Sequence, residues 1–384
     1  MPYPRSPDSG QYVGKRVRVL QIIQNLNYGG MERLLADIVT RADRQRFEMH
    51  VMALQYLGRY AEGLHDVATV HLADHMGRGS LIWPRALIRN IRQIAPDVTH
   101  SHTGVWYKAA FAARRAGVPL IIHTEHGRQR PDPWRARLQD GLAARQTDIV
   151  VAVSEVLAEQ LSTTVVRDSA NVRVVINGVD TELHRPRPDR GGVRAQLGVP
   201  TTAPVLGSIG RLEYIKGYDV MVDAFARLLT IWPDNQPAPV MVLCGEGSER
   251  EVLEKRAGAL GLAGRIYFLG WRDDVQDMHA TFGLFTMSSR SEGTSVSLLE
   301  AMSAGLCPVV TDVGGNAAVL GPDLRHRLVP PENPDALARA WHDALTDPAR
   351  CHSEGQRARA RVHQAFNLDA MVNAYEDLYD GAGR

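Results

Sequence analysis

Short apolar runs alternate with longer amphipathic segments along this chain, and this alternation limits the folds it can adopt more than any other feature. In the first half, the apolar runs that we predict as strands are 17–27, 47–54, 97–102, 119–127 and 148–154. The segments between them, such as 31–42 and 86–94, carry apolar residues at helical spacing. Strands separated by helices indicate βαβ units, and therefore a parallel sheet covered by helices.

The same alternation begins again after a polar connector, rich in proline and glycine, at 184–192. The apolar runs that we predict as strands of the second half are 204–210, 239–247, 264–270, 282–289 and 307–312. A chain of 384 residues is also too long for one ordinary core. We therefore predict an α/β protein of two Rossmann-like domains, at 17–185 and 186–366, after a disordered lead-in at 1–16. Ligands of such sheets bind beyond the carboxyl ends of the strands, so we expect the site in a cleft between the domains.

Composition limits the class and compartment of the protein. The chain is 44% hydrophobic and 23% charged, which is typical of a globular protein. Cys244, Cys307 and Cys351 are too few and too scattered for a disulfide framework or a zinc site, which fits a reducing cytoplasm. We expect no signal peptide and no membrane span, because no apolar run approaches about 18 residues.

Charge is unevenly distributed between the two halves. Residues 1–185 carry 24 Lys and Arg against 18 Asp and Glu, whereas the rest carry 20 against 25. The predicted helix at 86–94 carries Arg89 and Arg92, and Arg85, directly before it, continues the same side. Two interpretations stay open for this helix, a solvated basic surface or peripheral contact with anionic lipid. No block of five or six like charges occurs, and we expect no nucleic-acid partner.

A glycine pair and two cations follow predicted strands at the expected cleft. Gly29 and Gly30 would let the backbone approach a ligand closely, although a tight turn alone would also explain them. Arg211 and Lys216 lie five residues apart directly after another strand, in a chain with only four lysines. A fork donor beside a point charge suits a diphosphate, and the alternative is two ordinary surface cations.

The segment 288–310 combines two carboxylates with a predicted helix start. Gly293, Thr294 and Ser295 lie where the helix begins, so unpaired backbone N–H groups would face an anion. Glu292 precedes this loop and Glu300 follows it, and either could accept hydrogen bonds from sugar hydroxyls. The alternatives are a helix-dipole partner for Glu292 and an exposed helix residue for Glu300. Glu300 is surrounded by apolar residues, and a buried carboxylate needs polar partners, which favours the functional interpretation.

The seven residues between Glu292 and Glu300, followed by EAMSAGLCPVV and DVGGN, resemble the signature of glycosyltransferase family 4. The members of this family, also called glycosyl transferases group 1, are retaining enzymes with the GT-B fold. Further motifs that match the family in order, from residue 17 to the end, are YGGMER, DVTHSH, HTEHG, VSEVLAEQL, NGVD, GRLEYIKG, CGEGSER and FLGWRDDV. The resemblance implies two Rossmann-like domains across a deep cleft, with the last helix, at about 367–384, returning to the first domain.

The resemblance also implies roles for individual residues. Arg211 and Lys216 would bind the donor diphosphate, Glu292 would contact hydroxyls of the transferred sugar, and Glu300 would take the nucleotide ribose. His126 would lie near the reacting sugar, as a hydrogen-bond partner or as a general base. Further donor-binding positions implied by the family are Gly29, Gly30, Gly245, Trp271, Arg272, Gly293, Thr294 and Ser295.

The chemistry that the resemblance implies is group transfer from a nucleoside-diphosphate sugar to a hydroxyl acceptor, which is a glycan, a lipid-linked molecule or a small molecule. Departure of the diphosphate leaves negative charge that fixed cations and helix N–H groups stabilise. The family mechanism is front-face transfer, and we expect neither a metal ion nor a cofactor besides the donor. We expect a cytoplasmic protein, with peripheral contact with the inner membrane face left open.

Other interpretations need different residues. A nucleotide-sugar epimerase of the same fold or a catalytically idle relative stays open as an alternative. A dinucleotide fingerprint at GEGSER is disfavoured because Arg250 stands where the third glycine is needed. The chain also departs from the family pattern at Ala318, where a glutamate is common, and in the EGTSVS loop, which bears on sugar preference.

Overall fold

The computed structural model describes residues 15–27, 29–74, 84–128, 133–166, 171–188, 192–196, 198–199 and 202–381. Most of the predicted lead-in at 1–16 lies outside these residues, as do Tyr28 of the glycine turn, part of the 184–192 connector and the last three residues of the predicted returning helix.

The first of two parallel sheets has seven strands in the order β3-β2-β1-β4-β5-β6-β7 within the described residues. Its strands are β1 (Val17–Asn25), β2 (Phe47–Tyr56), β3 (Thr69–Leu72), β4 (Val98–His102), β5 (Leu120–Glu125), β6 (Ile149–Ala152) and β7 (Val172–Val174). The helices between them are α1 (Gly30–Arg41), α2 (Tyr60–Leu64), α3 (Arg85–Ile94), α4 (Trp106–Ala116), α5 (Trp134–Ala144) and α6 (Glu155–Thr164).

The second sheet has six strands in the order β10-β9-β8-β11-β12-β13 within the described residues. Its strands are β8 (Val205–Ile209), β9 (Val240–Cys244), β10 (Ile266–Gly270), β11 (Leu284–Met287), β12 (Pro308–Thr311) and β13 (Leu328–Val329). The α-helices that follow β7 are α7 (Gly192–Gln196), α8 (Tyr218–Ile231), α9 (Arg250–Ala259), α10 (Val275–Thr281), α11 (Val296–Ser303), α12 (Asn316–Leu320), α13 (Pro334–Leu345), α14 (Pro348–Ala365) and α15 (Leu368–Asp380). Short 3-10 helices cover Tyr214–Lys216 and Pro322–Arg327.

The strand order reverses at one point in each sheet. The reversal lies between β1 and β4 in the first sheet and between β8 and β11 in the second. All paired strands of both sheets are parallel. A crevice opens at such a reversal, beyond the carboxyl ends of the flanking strands, and ligands of this class of sheet bind there. The α/β fold class with two parallel-sheet domains is therefore as predicted.

The last helix, α15, packs on the first sheet although it follows the second in sequence. Asn367 caps it by accepting hydrogen bonds from the backbone N–H groups of Asp369 and Ala370. Leu368, Met371 and Val372, together with residues further along the helix, join the buried core that surrounds β1 and β2. The first domain is therefore built from two separate parts of the chain.

Three strands of the structure were absent from the sequence-based prediction. They are β3, β7 and β13, which have four, three and two residues. Each lies at an edge of its sheet. A short edge strand pairs on one side only and is partly solvated, so its apolar pattern is weak.

The cysteines, the basic helix α3 and the apolar helices bear on the predicted compartment and membrane contact. Cys244, Cys307 and Cys351 are buried and free. In α3 the side with Leu87 and Ile91 faces the core, while Arg89 on the surface pairs with Asp74. No described helix is long and apolar enough to cross a bilayer. Contact of α3 with a membrane stays a prediction.

Candidate active site

The two sheets face each other through the loops that follow their strands. Ser291, in the loop after β11, donates a hydrogen bond of 3.0 Å from Oγ to the carbonyl oxygen of Arg128, after β5. Thr294 Oγ1 donates to the carbonyl oxygen of Val153, after β6. The amide of Asn177 returns a bond of 2.8 Å to the carbonyl oxygen of Thr294. The carboxyl ends of both sheets therefore form one closed cleft.

Gly293 lies where the two domains approach each other closely. A Cβ atom built there would lie 2.1 Å from the carbonyl oxygen of His126 and 3.0 Å from Cγ2 of Val153. Carbon atoms do not approach backbone oxygen so closely, so only glycine fits. The loop after β11 and the loop after β5 thus pack backbone against backbone.

Helix α11 begins in this cleft. Ser295 caps it, because its Oγ accepts a hydrogen bond of 3.4 Å from the N–H of Leu298. The side chain of Thr294 is already bonded to Val153, so both hydroxyls serve the fold. Residues 293–295 therefore offer a ligand their backbone N–H groups and the positive end of the helix, and not their side chains.

The loop before the helix carries an ion pair. Lys216 Nζ lies 2.7 Å from Oε1 of Glu292, and both side chains are largely buried. Ser289 Oγ donates a hydrogen bond of 2.6 Å to the same carboxylate oxygen. The structure thus brings together two residues that are 76 positions apart, both of which the sequence singled out.

Arg211 lies nearby and is exposed. Its charge reaches across the cleft to Glu32 of α1, where burial raises the pKa of the carboxyl and Arg211 partly opposes that rise. The opposite wall is the glycine turn, because a Cβ on Gly30 would lie 3.4 Å from Cγ2 of Val296, the first residue of α11. The predicted turn at Gly29 and Gly30 therefore faces the start of that helix.

Glu300 lies about one turn along α11 from Val296, and its side chain is buried. Burial raises the pKa of Glu300 to about 7, and the charge of Arg33 on α1 opposes the rise. His184 Nε2 lies 3.4 Å from Oε1 of Glu300. Because burial lowers the pKa of His184 to about 3, this ring is neutral and the contact is not an ion pair.

Arg33 is itself paired with Asp37 one turn along α1, at 3.2 Å. Burial raises the pKa of Asp37 to about 6, against the opposing charge of Arg33. Glu300 therefore faces a cation that another carboxylate already holds. A buried carboxyl in this position favours a ligand that donates hydrogen bonds.

The remaining predicted positions of the second domain lie at its strand ends. The guanidinium of Arg59, from the first domain, lies 5.1 Å from the ring centroid of Trp271. Arg272 donates a hydrogen bond of 2.7 Å to Asp274. A Cβ on Gly245 would lie 1.9 Å from the carbonyl oxygen of Gly210, so this glycine packs on backbone after β8.

His126 lies on the first-domain side of the cleft and is half-buried. Its Nε2 is 3.0 Å from Nδ1 of His102, and its backbone N–H donates to Thr103 Oγ1 at 2.8 Å. Burial lowers the pKa of His126 to about 4, so the ring is neutral at physiological pH. His123 and His100 are fully buried, as expected for packed strand residues.

A cavity of about 590 Å³ opens beside Glu292. Both domains line it, and its polar walls include Arg128, Ser154, Gln160, Tyr214 and Glu292. It adjoins the ion pair of Lys216 and Glu292, and it is large enough for a second small molecule beside one bound at that pair.

The sequence analysis missed several residues that contribute to the site. Ser289 bonds Glu292, Asn177 bonds the loop at Thr294, and Arg33 faces Glu300. Arg33 ends the YGGMER motif and Asn177 begins NGVD, so the motifs contained a signal. Asn177 and Arg33 meet their partners across the cleft, and such contacts have no local sequence pattern, which is why these two residues went unassigned.

Taken together, the cleft offers cations, helix N–H groups and buried carboxylates within one space. Fixed positive charge and N–H groups suit a diphosphate, and carboxylates accept hydrogen bonds from hydroxyls. The chemistry favoured by this set is therefore binding of an anionic, hydroxyl-rich ligand.

Two family models match the chain. The model described as Glycosyltransferase Family 4 matches residues 28–183, and the model described as Glycosyl transferases group 1 matches residues 189–361. These spans follow the division into two sheets.

Curated relatives align over most of the chain. A D-inositol 3-phosphate glycosyltransferase of Jonesia denitrificans is 30% identical over 306 residues, which are 74% of this chain and 71% of that protein. A UDP-Gal:alpha-D-GlcNAc-diphosphoundecaprenol alpha-1,3-galactosyltransferase of Escherichia coli is 25% identical over 307 residues, 77% of this chain and 78% of that protein. Across several curated relatives, the chain spans 63% to 78% of the relative's length.

Solved structures share the architecture. Anabaena Alr3699/HepE in complex with UDP-glucose superposes with a TM-score of 0.82 and 22% identity, over 95% of this chain and 100% of that one. A crystal structure of WaaG, a glycosyltransferase involved in lipopolysaccharide biosynthesis, superposes with a TM-score of 0.74 and 15% identity, over 94% and 100%. At these identities the likeness shows a shared fold.

Proposed function

Because this chain belongs to glycosyltransferase family 4 and has the GT-B fold, we propose that it moves a sugar from a nucleoside-diphosphate donor to a hydroxyl acceptor with retention and without a metal ion. That it is a glycosyltransferase using a nucleotide-sugar donor follows from the family. The stereochemistry, the independence from metal and the class of acceptor are the proposed part.

The observation that carries the proposal is the pair of Lys216 and Glu292 at the start of α11. An ammonium group has three donors, so Lys216 can bond Glu292 and a phosphate oxygen together. Arg211, exposed nearby, and the N–H groups of α11 add positive potential for the second phosphate. Glu292 then accepts from a hydroxyl of the sugar attached to that phosphate.

Transfer in this arrangement needs no protein base. The bond between the anomeric carbon and the phosphate oxygen breaks, and its electron pair stays on that oxygen. The acceptor oxygen bonds the anomeric carbon on the same face, and its proton passes to the departing phosphate oxygen. Lys216 and Arg211 lower the barrier because they stabilise the charge that develops on the diphosphate.

His126 has a different part in this scheme. A ring with a pKa of about 4 is a weak base at neutral pH, so we assign it a hydrogen bond to the sugar and not proton removal. Glu300 accepts hydrogen bonds from the ribose hydroxyls, and the base lies against Trp271. The cavity of about 590 Å³ beside Glu292 receives the acceptor.

The relatives named above act, by their names, on acceptors as different as an inositol phosphate and a lipid-linked sugar. We therefore propose only a hydroxyl acceptor that fits the cavity. Both named relatives are transferases, which favours transfer over the epimerase and idle-relative interpretations. Three buried, free cysteines fit a reducing compartment, so we place the reaction in the cytoplasm.

A thermal-shift titration with UDP, GDP, ADP and their common sugar conjugates tests the donor site without an acceptor. A ligand that binds only the folded state raises the free energy of unfolding, by about 2.7 kcal/mol at one hundred times its Kd, and therefore raises the melting temperature. We expect one nucleotide family to stabilise the wild type and to lose that effect in Lys216→Ala and Glu300→Ala. Lys255→Ala, on the exposed side of α9, is the matched control and should respond like the wild type.

The proposal is wrong if no nucleotide raises the melting temperature at millimolar concentration. In that case an idle relative would explain the intact fold. If a nucleotide stabilises Lys216→Ala as much as the wild type, the assignment of Lys216 to the donor site is wrong.

A further inference from the structure

A chain of hydrogen bonds runs from His126 at the cleft into the first domain. His126 Nε2 is 3.0 Å from His102 Nδ1, and His102 Nε2 is 2.9 Å from the amide oxygen of Gln21. The amide nitrogen of Gln21 donates to the hydroxyl of Tyr379 at 2.9 Å. The chain therefore links β5, β4, β1 and the returning helix α15.

Beyond Tyr379 the chain continues inside the core. The Tyr379 hydroxyl is 2.8 Å from His100 Nδ1, and His100 Nε2 is 2.7 Å from Thr124 Oγ1. Thr124 is 3.3 Å from the hydroxyl of Tyr375, one turn before Tyr379 on α15. Gln21, His100, His102 and Tyr379 are fully buried, so the network is dry and each polar atom needs its partner.

The hydrogen-bond partners assign the protons of the His102 and His126 rings. An amide oxygen only accepts, so His102 must donate to Gln21 from Nε2–H. Burial lowers the pKa of His102 well below its usual value, so that ring is neutral and its Nδ1 carries a lone pair. That lone pair accepts from His126, which therefore holds its own proton on Nε2.

The other end of the network agrees with this direction. The Tyr379 hydroxyl accepts from the Gln21 amide and donates to His100 Nδ1. His100 then donates from Nε2 to Thr124, whose hydroxyl oxygen lies 3.3 Å from that of Tyr375. In this network, every hydrogen bond from His126 to Thr124 therefore pairs one donor with one acceptor.

We infer that His102, Gln21 and Tyr379 are positioning residues that hold His126 as the Nε2–H tautomer, so that its Nδ1 accepts a hydrogen bond from a hydroxyl of the donor sugar. This inference rests on the proposed function, since the donor supplies the hydroxyl. Among the described residues, no group bonds Nδ1 of His126, and the ring is half-buried. The backbone carbonyl oxygen of His126 packs against Gly293, the residue that follows Glu292 in the loop before α11.

The consequence is a requirement on the sugar. With the proton turned inward, His126 accepts and does not donate, so it selects a sugar that carries a hydroxyl at that position. A deoxy or fluoro substituent there would lose the bond. The returning helix α15 would thereby influence the chemistry of the cleft through Tyr379.

The test compares Tyr379→Phe with Tyr375→Phe. Both changes remove one buried hydroxyl from α15, but only Tyr379 lies between Gln21 and His100. Nitrogen-15 NMR of the histidine rings, with the His126 signal assigned through His126→Asn, should show the Nε2–H tautomer in the wild type. We expect Tyr379→Phe to mix the two tautomers of His126 and Tyr375→Phe to leave them unchanged.

Binding provides the second readout. Tyr379→Phe should weaken the affinity for UDP-glucose by about tenfold, the effect of one hydrogen bond, and leave the affinity for UDP unchanged. A structural role alone would weaken both ligands together. Should Tyr379→Phe fail to fold, Gln21→Met removes the same link and carries the same expectations.

The inference is overturned if wild-type His126 carries its proton on Nδ1, or if Tyr379→Phe keeps a single Nε2–H tautomer. Equal weakening of UDP and UDP-glucose would also overturn it. If the wild type binds neither ligand, the binding comparison is made with the nucleotide and nucleotide sugar that the thermal-shift titration identifies. If that titration finds none, the donor proposal fails by itself, and the ring tautomer alone then decides the positioning claim.

Discussion

The two walls of the cleft are built in different ways. On the second-domain wall, Lys216, Glu292 and the start of α11 lie within a few residues of a strand end or a helix start. On the first-domain wall, the orientation of His126 depends on Gln21 and Tyr379, which are 358 positions apart in the chain. Local sequence therefore predicts the charge of the second-domain wall. Only the folded chain shows which residues determine the orientation of His126 on the first-domain wall.

The difference has a physical reason. Anion binding at a helix start uses backbone groups and one or two cations, and these need only the right local order. A buried histidine must have every ring nitrogen satisfied, and its partners come from whichever elements pack around it. Charge can thus be predicted from motifs, whereas proton direction cannot.

The largest effect is expected from the second-domain wall. Lys216→Ala removes the cation next to the departing diphosphate, and we expect kcat to fall by about 10² to 10³. Steady-state kinetics with the donor found by thermal shift measures this, with Lys255→Ala as control. A fall that appears only in KM would mean that Lys216 binds the donor without assisting departure.

The junction of the two walls comes next. Gly293→Ala places a Cβ atom 2.1 Å from the carbonyl oxygen of His126, so the walls must separate. A displacement of about 1 Å at a reacting centre costs on the order of 10²-fold in rate, and we expect that loss in kcat.

Gly258→Ala on α9, where no atom lies within 4 Å, is the matched control. It should keep full activity and gain about 0.5–1 kcal/mol of stability, because alanine suits a helix better than glycine. Wild-type kcat in Gly293→Ala would show that the close approach is not needed for transfer.

A smaller effect is expected from Glu300 and depends on pH. With a pKa of about 7, the carboxyl is charged above pH 7 and protonated below it, where its O–H no longer accepts from both ribose hydroxyls. The KM for the nucleotide sugar should therefore rise about tenfold from pH 8 to pH 6. In Glu300→Gln it should be raised throughout and nearly independent of pH.

The variant Asp37→Asn distinguishes titration of Glu300 from titration of Asp37. The two carboxyl groups both lie near Arg33, and the pKa of Asp37 is about 6. In this variant, the KM for the nucleotide sugar should still change near pH 7. If the pH dependence follows Asp37 and not Glu300, the assignment of the ribose contact is wrong.

The smallest effect is expected where the two walls meet at the base. Arg59→Ala removes the guanidinium that lies 5.1 Å from the ring centroid of Trp271. A contact of this kind contributes about 0.5–1 kcal/mol, so the donor KM should rise two- to fivefold. Arg135→Ala removes a similar contact with Trp134, at 5.2 Å and outside the cleft, and should leave KM unchanged. If the KM values of the two variants were equal, the assignment of Trp271 to the base pocket would be wrong.

Much of the fold could be predicted from sequence. The long central strands and their helices have strong periodic patterns, so the two-domain α/β class was correct. The short edge strands β3, β7 and β13 were missed because two to four residues carry little pattern. The place of α15 in the core around β1 was expected only from the family resemblance, because the local pattern of a helix does not show which core it joins.

The candidate site divides in the same way. Glu292 and Lys216 were singled out from local order, and the structure brings them to 2.7 Å. The surroundings of Glu300 were not predictable, because Arg33 and His184 come from different elements. For His126 the motif indicated a position near the sugar, but its neutral state depends on burial that no motif records.

The most direct test of the account uses water as the acceptor. The wild type is incubated with the stabilising nucleotide sugar in the presence of a chelator, and proton NMR follows the first anomer of the released sugar. We expect slow release, the same anomeric configuration as in the donor, and loss of release in Lys216→Ala but not in Lys255→Ala. Release of the opposite anomer, dependence on added metal, or equal rates in Lys216→Ala and the wild type would contradict the account.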